Sequence, residues 1–185
     1  MAALRFPTED ASWGRYHSKR FSLSFPLPDG KAWRIDDRSR PSLCALHEAT
    51  GSKVWVLTTQ EDDLVNRQKC EARAQALGWV TSKTLTTVDD EVTIGPEAYD
   101  SRIWVALDAA KPAGALEGHV YVFGAFIRRC LLMHVSTVVA SAKDENVLSE
   151  RLALARARIV RGLTLDPPRT SDEATVPRDK PEIRR

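Results

Sequence analysis

The apolar positions of this chain change period along its length, and the changes divide it into elements. Phe21-Ser-Leu-Ser-Phe25 alternates strictly, with Phe21, Leu23 and Phe25 on one side and the serines on the other, as in a half-buried strand. Pro26-Leu-Pro-Asp-Gly30 carries turn chemistry and ends it. Ala32–Asp36 predicts a short strand bearing Trp33 and Ile35. Two apolar runs, Ser42–Glu48 and Lys53–Thr59, flank Ala49-Thr-Gly-Ser52 and predict a hairpin. A helix follows. Glu61, Asp62 and Asp63 sit at its start and Arg67, Lys69 and Arg73 further on, the order the helix dipole favours. Val65, Ala72, Ala76 and Trp79 approximate its apolar face, and Gly78 marks its end.

Beyond it, Lys83–Val88, Glu91–Ile94 and Ser101–Leu107 read as strands, split at Asp89–Asp90 and at Gly95–Pro96, with Pro112–Gly118 as a loop. His119–Phe126 and Cys130–Ala140 are the strongest strand patterns, joined near Ile127–Arg129. The second is apolar at both parities through much of its length, which predicts cover on both faces. The closing helix opens on Ser141-x-x-Asp144, close to a capping box. Leu148, Leu152, Ala155, Ile159 and Leu163 form its stripe, with Arg151, Arg158 and Arg161 off it.

Hairpins rather than strand–helix–strand repeats connect the strands, so the fold class is α+β: an antiparallel sheet with helices packed on it. Residues 19–163 make a single domain of a size that can bury a core. Residues 1–18 are loosely patterned and read as an N-terminal extension that drapes over it. Residues 164–185 hold four of the ten prolines and no aromatic residue or glycine, and their acids and bases cancel. Such a segment cannot offset its ordering entropy and is expected to be a disordered tail.

This order of elements resembles the PsbP-like α/β/α sandwich, a grouping that takes in DcrB-like and EagR-type proteins and a nuclear Ran-binding relative. The resembling residues are Phe21-Ser-Leu-Ser-Phe-Pro26 with Trp33 soon after, the hairpin and helix at Ser42–Trp79, and Gly118–Ala140 with the helix to Leu163. The resemblance implies a mostly non-enzymatic role in binding or scaffolding other proteins, or in chaperoning apolar segments. It assigns no functional residue.

Composition narrows the partners. The 185 residues are 43% hydrophobic and 28% charged with a net charge of +2, so nothing demands a polyanion, and nucleic acid is not expected. No apolar run reaches the length of a membrane-spanning helix. The N-terminal residues lack the basic-then-apolar pattern of a signal peptide, so a cytoplasmic protein is expected; a trimmed secreted or lipoprotein form is also compatible. The cysteines, Cys44, Cys70 and Cys130, are an odd and sparse set, expected as small buried hydrophobes and not as a disulfide framework.

Catalytic markers are missing. The histidines, His17, His47, His119 and His134, form no C-x-x-C, H-E-x-x-H or clustered ligand tract, so no metal is expected. Cys44 and His47 point to opposite faces of one strand. Cys130 and His134 share a face but lie about 13 Å apart at ~3.3 Å per residue, too far for a nucleophile pair. There is no G-x-S-x-G and no phosphate-cradling glycine loop, so neither hydrolase chemistry nor a nucleotide cofactor is indicated. The acid pairs Asp36–Asp37, Asp62–Asp63 and Asp89–Asp90 fit turns and a helix start better than catalysis.

Five tryptophans are many for this length, and tryptophan anchors interfaces as well as cores. The expectation is therefore a non-catalytic protein-binding or scaffold module, an adaptor or chaperone, with no enzyme activity and no cofactor. Its partner surface would be an apolar patch of Trp33, Trp55 and Trp104 rimmed by Arg151 and Arg158. Two alternatives stand: a structural component of a larger, oligomeric assembly, or an enzyme of unrecognised type with a pocket near Cys130 and His119.

Overall fold

A computed structural model describes residues 2–95 and 99–167. The chain builds a seven-stranded antiparallel sheet and a three-stranded one, with a helix on each face of the larger sheet. The small sheet holds β1 (Trp13–Ser18), β2 (Leu23–Pro28) and β10 (Thr164–Leu165), in the order β1-β2-β10. The large sheet runs β3-β4-β5-β9-β8-β7-β6. Its members are β3 (Trp33–Asp36), β4 (Leu43–His47), β5 (Ser52–Gln60), β6 (Leu85–Ile94), β7 (Tyr99–Ala110), β8 (Ala115–Phe126) and β9 (Arg129–Val139). The expected α+β class is therefore present.

Period-2 alternation decides what each face meets. From β8 and β9, Val120, Val122, Leu131, Met133 and Val135 turn to one face, where α2 (Glu145–Leu154) and β2 cover them. Leu148, Leu152, Ala155, Ile159 and Leu163 are all buried there, as their spacing predicts. The opposite parity, Tyr121, Phe123, Cys130 and Leu132, meets α1 (Arg67–Ala76). Both faces of β9 are thus covered, which explains its apolar run. After Leu154 the helix widens into a π-type turn over Ala155–Val160 before Gly162.

Several boundaries differ from the sequence reading. The N-terminal extension expected over residues 1–18 is, in its described part, not loose: β1 pairs along β2 from Trp13↔Pro28 to Ser18↔Leu23, and Phe6 is buried. Thr164 and Leu165 pair with Ser24 and Leu23, so the domain runs past residue 163. The rest of the proposed tail, from residue 168, lies outside the described residues. β2 does not end at Pro26: it is the central strand, but β10 reaches only Leu23 and Ser24, so β2 has a single neighbour, β1, along Pro26 and Pro28. β6 is not split at Asp89–Asp90. A register shift between Asp89 and Val92 absorbs an extra residue, with Glu91 at φ 61°. α1 starts later than its acidic residues suggest, at Asn66, whose side chain accepts from Lys69 N–H at 2.8 Å.

Arg151 departs most from the pattern. It lies off the apolar stripe yet is 2% exposed. Its Nε donates to Leu4 O at 2.8 Å, and its Nη1 to Val138 O at 2.9 Å, Thr137 Oγ1 at 3.1 Å and Thr50 O at 3.3 Å. Carbonyls left over at a strand end and a 3₁₀ turn are thereby satisfied, and the N-terminal segment is strapped across α2.

Candidate functional site

The expected tryptophan–arginine patch is not assembled. Trp33 lies on the α2 side of the sheet, 7% exposed, with its indole N–H on Pro28 O at 2.6 Å. Arg151 is the buried strap just described. Arg158 lies 5.1 Å from the Trp13 ring and pairs with Asp10 at 2.8 Å, so it holds the N-terminal segment. Trp104 is 8% exposed and packs edge-on against Phe123. Of the three tryptophans of that patch, Trp55 alone is both partly exposed and part of a pocket.

Trp55 heads an aromatic row that crosses the α1 face. Register places Trp55 opposite His134, His134 opposite Tyr121, and Tyr121 opposite Trp104. The Trp55 and His134 rings stack at 4.7 Å, and His134 stacks on Tyr121 at 4.3 Å. His119, two residues before Tyr121, joins them: its Nδ1 lies 3.0 Å from His134 Nε2. Tyr121 Oη accepts from the N–H groups of Thr81 and Ser82 at 3.3 and 3.2 Å, which pins the segment after α1 beside the row.

A pocket of about 370 Å³ opens over this row, lined by Trp55, Trp79, His119, His134, Glu117, Ser42, Thr81 and the turn Leu77–Gly78. Gly78 is at φ 71°, the left-handed conformation that ends α1 and turns Trp79 back to the sheet. A larger hollow, of about 660 Å³, lies between β1 and the Asp29–Ile35 segment. The charged side chains that line it, Arg15, Asp29 and Lys31, are all exposed to solvent, and no histidine lines it.

The electrostatics of the pocket follow from burial. Desolvation pushes His134 down to about 3, helped by His119 and Lys53. Desolvation also lowers His119, against the upward pull of Glu117 and Asp108. Both imidazoles are therefore neutral. His119 Nε2 faces Asp108 Oδ2 at 3.4 Å and Glu117 Oε2 at 4.0 Å. A carboxylate there favours the proton on Nε2, so His119 Nδ1 accepts from His134 Nε2–H. In that tautomer His134 Nδ1 is an acceptor, with no hydrogen-bond partner among the described residues.

The thiol of the enzyme alternative is not free. Cys130 is joined to Cys70 by a disulfide, with Cα atoms 5.5 Å apart and both residues buried. This corrects the reading of the cysteines as three unpaired hydrophobes, and it removes the thiolate from the alternative that placed an enzyme pocket at Cys130 and His119. Cys44 is free, and burial raises its pKa. Among the described residues no group of three or more His, Cys, Asp or Glu is placed to hold a metal. Sequence reasoning missed the His119–His134 pair. The short turn joining β8 to β9 held the signal, because counting back from it sets Tyr121 against His134.

No protein-family profile matches this chain, and no curated protein does. Among solved structures it is similar to LpqN, involved in cell envelope biogenesis of Mycobacterium tuberculosis, at 10% identity and a TM-score of 0.48, over 88% of this chain and 99% of that one. A crystal structure from Bacteroides thetaiotaomicron VPI-5482 is similar at 11% identity and a TM-score of 0.45, over 85% of this chain. This chain spans 50% of that protein's length.

Proposed function

We propose that the protein is a non-catalytic recognition module for another protein, and that its contact site is the Trp55–Trp79 pocket on the α1 face. One observation carries this reading. His119 and His134 are hydrogen-bonded to each other and Cys130 is bonded to Cys70, while two tryptophan walls of the pocket stay open. Tryptophan beside exposed Leu77, with a polar floor, is the composition of an interface anchor. The PsbP-like resemblance belongs to the same proposal. Its support is the order of hairpin, helix, long antiparallel strands and closing helix.

A buried disulfide linking helix to sheet fits an oxidising compartment better than the cytoplasm first expected. Among the described residues no helix is long and apolar enough to cross a membrane. We therefore place the working protein where thiols are oxidised.

The test is photo-crosslinking from position 77 in the native cell, with Trp79→Ala as the matched control. The reading expects a discrete protein adduct that the Trp79→Ala variant loses while keeping its circular dichroism. An adduct indifferent to Trp79, or none, contradicts it.

A further inference from the structure

Asp108 and Glu117 face each other across β7 and β8 as direct register partners. Like charges opposite one another on neighbouring strands destabilise a sheet. Other carboxylates of this protein pair with arginine: Asp37 with Arg20, Glu71 and Asp90 with Arg102, Asp89 with Arg156, Asp100 with Arg67. Asp108 and Glu117 have no arginine or lysine partner among the described residues. The one basic group both approach is His119, and buried His119 is neutral.

The pocket beside them offers mainly acceptors. Glu117 presents carboxylate oxygens, His134 presents its bare Nδ1, and Asp108 stands behind His119. Ser42 and Thr81 add hydroxyls that can accept as well. A site of this kind selects a ligand made only of donors. Its walls are aromatic, and Lys53 Nζ already lies 5.8 Å from the Trp55 ring, which leaves Trp79 as the face open to a newcomer. Guanidinium meets each demand: it is planar, stacks on indole, carries five N–H donors and no acceptor, and forks onto a carboxylate. A pocket of about 370 Å³ has room for one such side chain.

We propose that this pocket receives the guanidinium of an arginine side chain presented by a protein partner, stacked on Trp79 and paired with Glu117, with Asp108 supplying the second negative charge. The assignment rests on the reading of the pocket as a protein-contact site and names what that contact reads. It also accounts for the opposed carboxylates, whose mutual repulsion the bound cation removes.

The probe is a single blocked arginine, N-acetyl-arginine-methylamide, titrated into the full chain while the indole N–H signals of Trp55 and Trp79 and the ring signals of His134 are followed by NMR. Its neutral isostere, the blocked citrulline, is the charge control. The expected result is saturable movement of the Trp79 and His134 signals, with citrulline at least about tenfold weaker. Glu117→Gln, a conservative change at a partly exposed position, loses about tenfold for arginine and nothing for citrulline. Equal binding of the two probes overturns the proposal, as does movement centred away from the pocket. Agmatine binding at least about tenfold tighter than blocked arginine assigns the site to a free small cation and overturns the peptide source. Zinc alone producing saturable shifts at His119 that arginine cannot reverse overturns the organic cation. The crosslink from position 77 does not depend on charge. A Trp79-dependent adduct without arginine–citrulline discrimination leaves the contact site standing and removes only its guanidinium specificity.

Discussion

Cys70 on α1 and Cys130 at the start of β9 are covalently joined across the helix–sheet interface, 60 residues apart in the chain. Beyond the bond, α1 buries only Cys70 and Ala74, so its apolar contact with the sheet is small. A loop of that length gives a chain-entropy stabilisation of about 4 kcal/mol. Replacing both cysteines by serine is expected to lower the melting temperature by roughly 10 °C for a domain of this size. Thermal unfolding with and without reductant checks it. The reductant effect should be present in the native chain and absent in the double variant.

Ile127 closes the β8–β9 hairpin at φ 55°, a left-handed conformation that a β-branched residue rarely adopts, and it is 61% exposed. Its side chain gains little from burial, and its backbone carries a cost of about 1–2 kcal/mol. Ile127→Gly is therefore expected to raise stability by roughly 0.5–1 kcal/mol, after the unfolded-chain entropy of glycine is subtracted. Urea denaturation measures this, and a loss of stability would show that the turn is held by contacts of the isoleucine.

Arg151→Met keeps much of the buried stem and removes the donors that reach Leu4, Thr50, Thr137 and Val138. The orphaned carbonyls should cost about 2–4 kcal/mol. The N-terminal strap should loosen first. Hydrogen exchange is expected to accelerate at residues 4–8 before the sheet is affected.

His134 sets a pH dependence whose sign is fixed by its environment. Burial depresses its folded pKa to about 3, below the ordinary value of 6.5. The unfolded chain therefore takes up the proton first as pH falls, so this stability is complete above about 6.5 and is lost through the window from 6.5 down towards 3, by at most about 1.4 kcal/mol per pH unit. Buried His47 and His119 are lowered too and act in the same direction. Asp36, held at about 2 chiefly by hydrogen bonds from Ser39, enters only below its ordinary 3.8. Urea midpoints at pH 7 and pH 5 should fall with acid in the native chain. They should fall less in His134→Phe.

Much of this architecture was legible from pattern. The 3.6-residue stripe of the closing helix and the double-parity run of β9 survive intact, because each buries many apolar groups and tolerates no slip. Weaker elements were misjudged where other forces replaced periodicity. α1 needs one i, i+4 pair and a covalent bond, so Ala72 and Ala76 are exposed where the spacing suggested an apolar face. Asp89 and Asp90 looked like a turn, yet β6 passes through them because Arg156 and Arg102 take up their charges. The aromatic row was half visible. The expected patch grouped Trp55 with Trp104, but their separation by His134 and Tyr121 depends on cross-strand register. The sequence puts Arg151 at the rim of a partner patch, because nothing in its own helix reveals carbonyls converging from Leu4, Thr50 and Val138.

The contact-site claim is tested most directly by calorimetric titration of the protein captured at position 77 against three forms of the chain: native, Trp79→Ala and Phe126→Ser. Phe126 is 44% exposed at the β8–β9 hairpin, outside the pocket, and serves as the distant control. Loss of Trp79 is expected to weaken binding at least about tenfold, about 1.4 kcal/mol, with the Phe126 variant unchanged. An unchanged Trp79 variant beside a weakened Phe126 variant would move the recognition surface to the hairpin end and contradict this account.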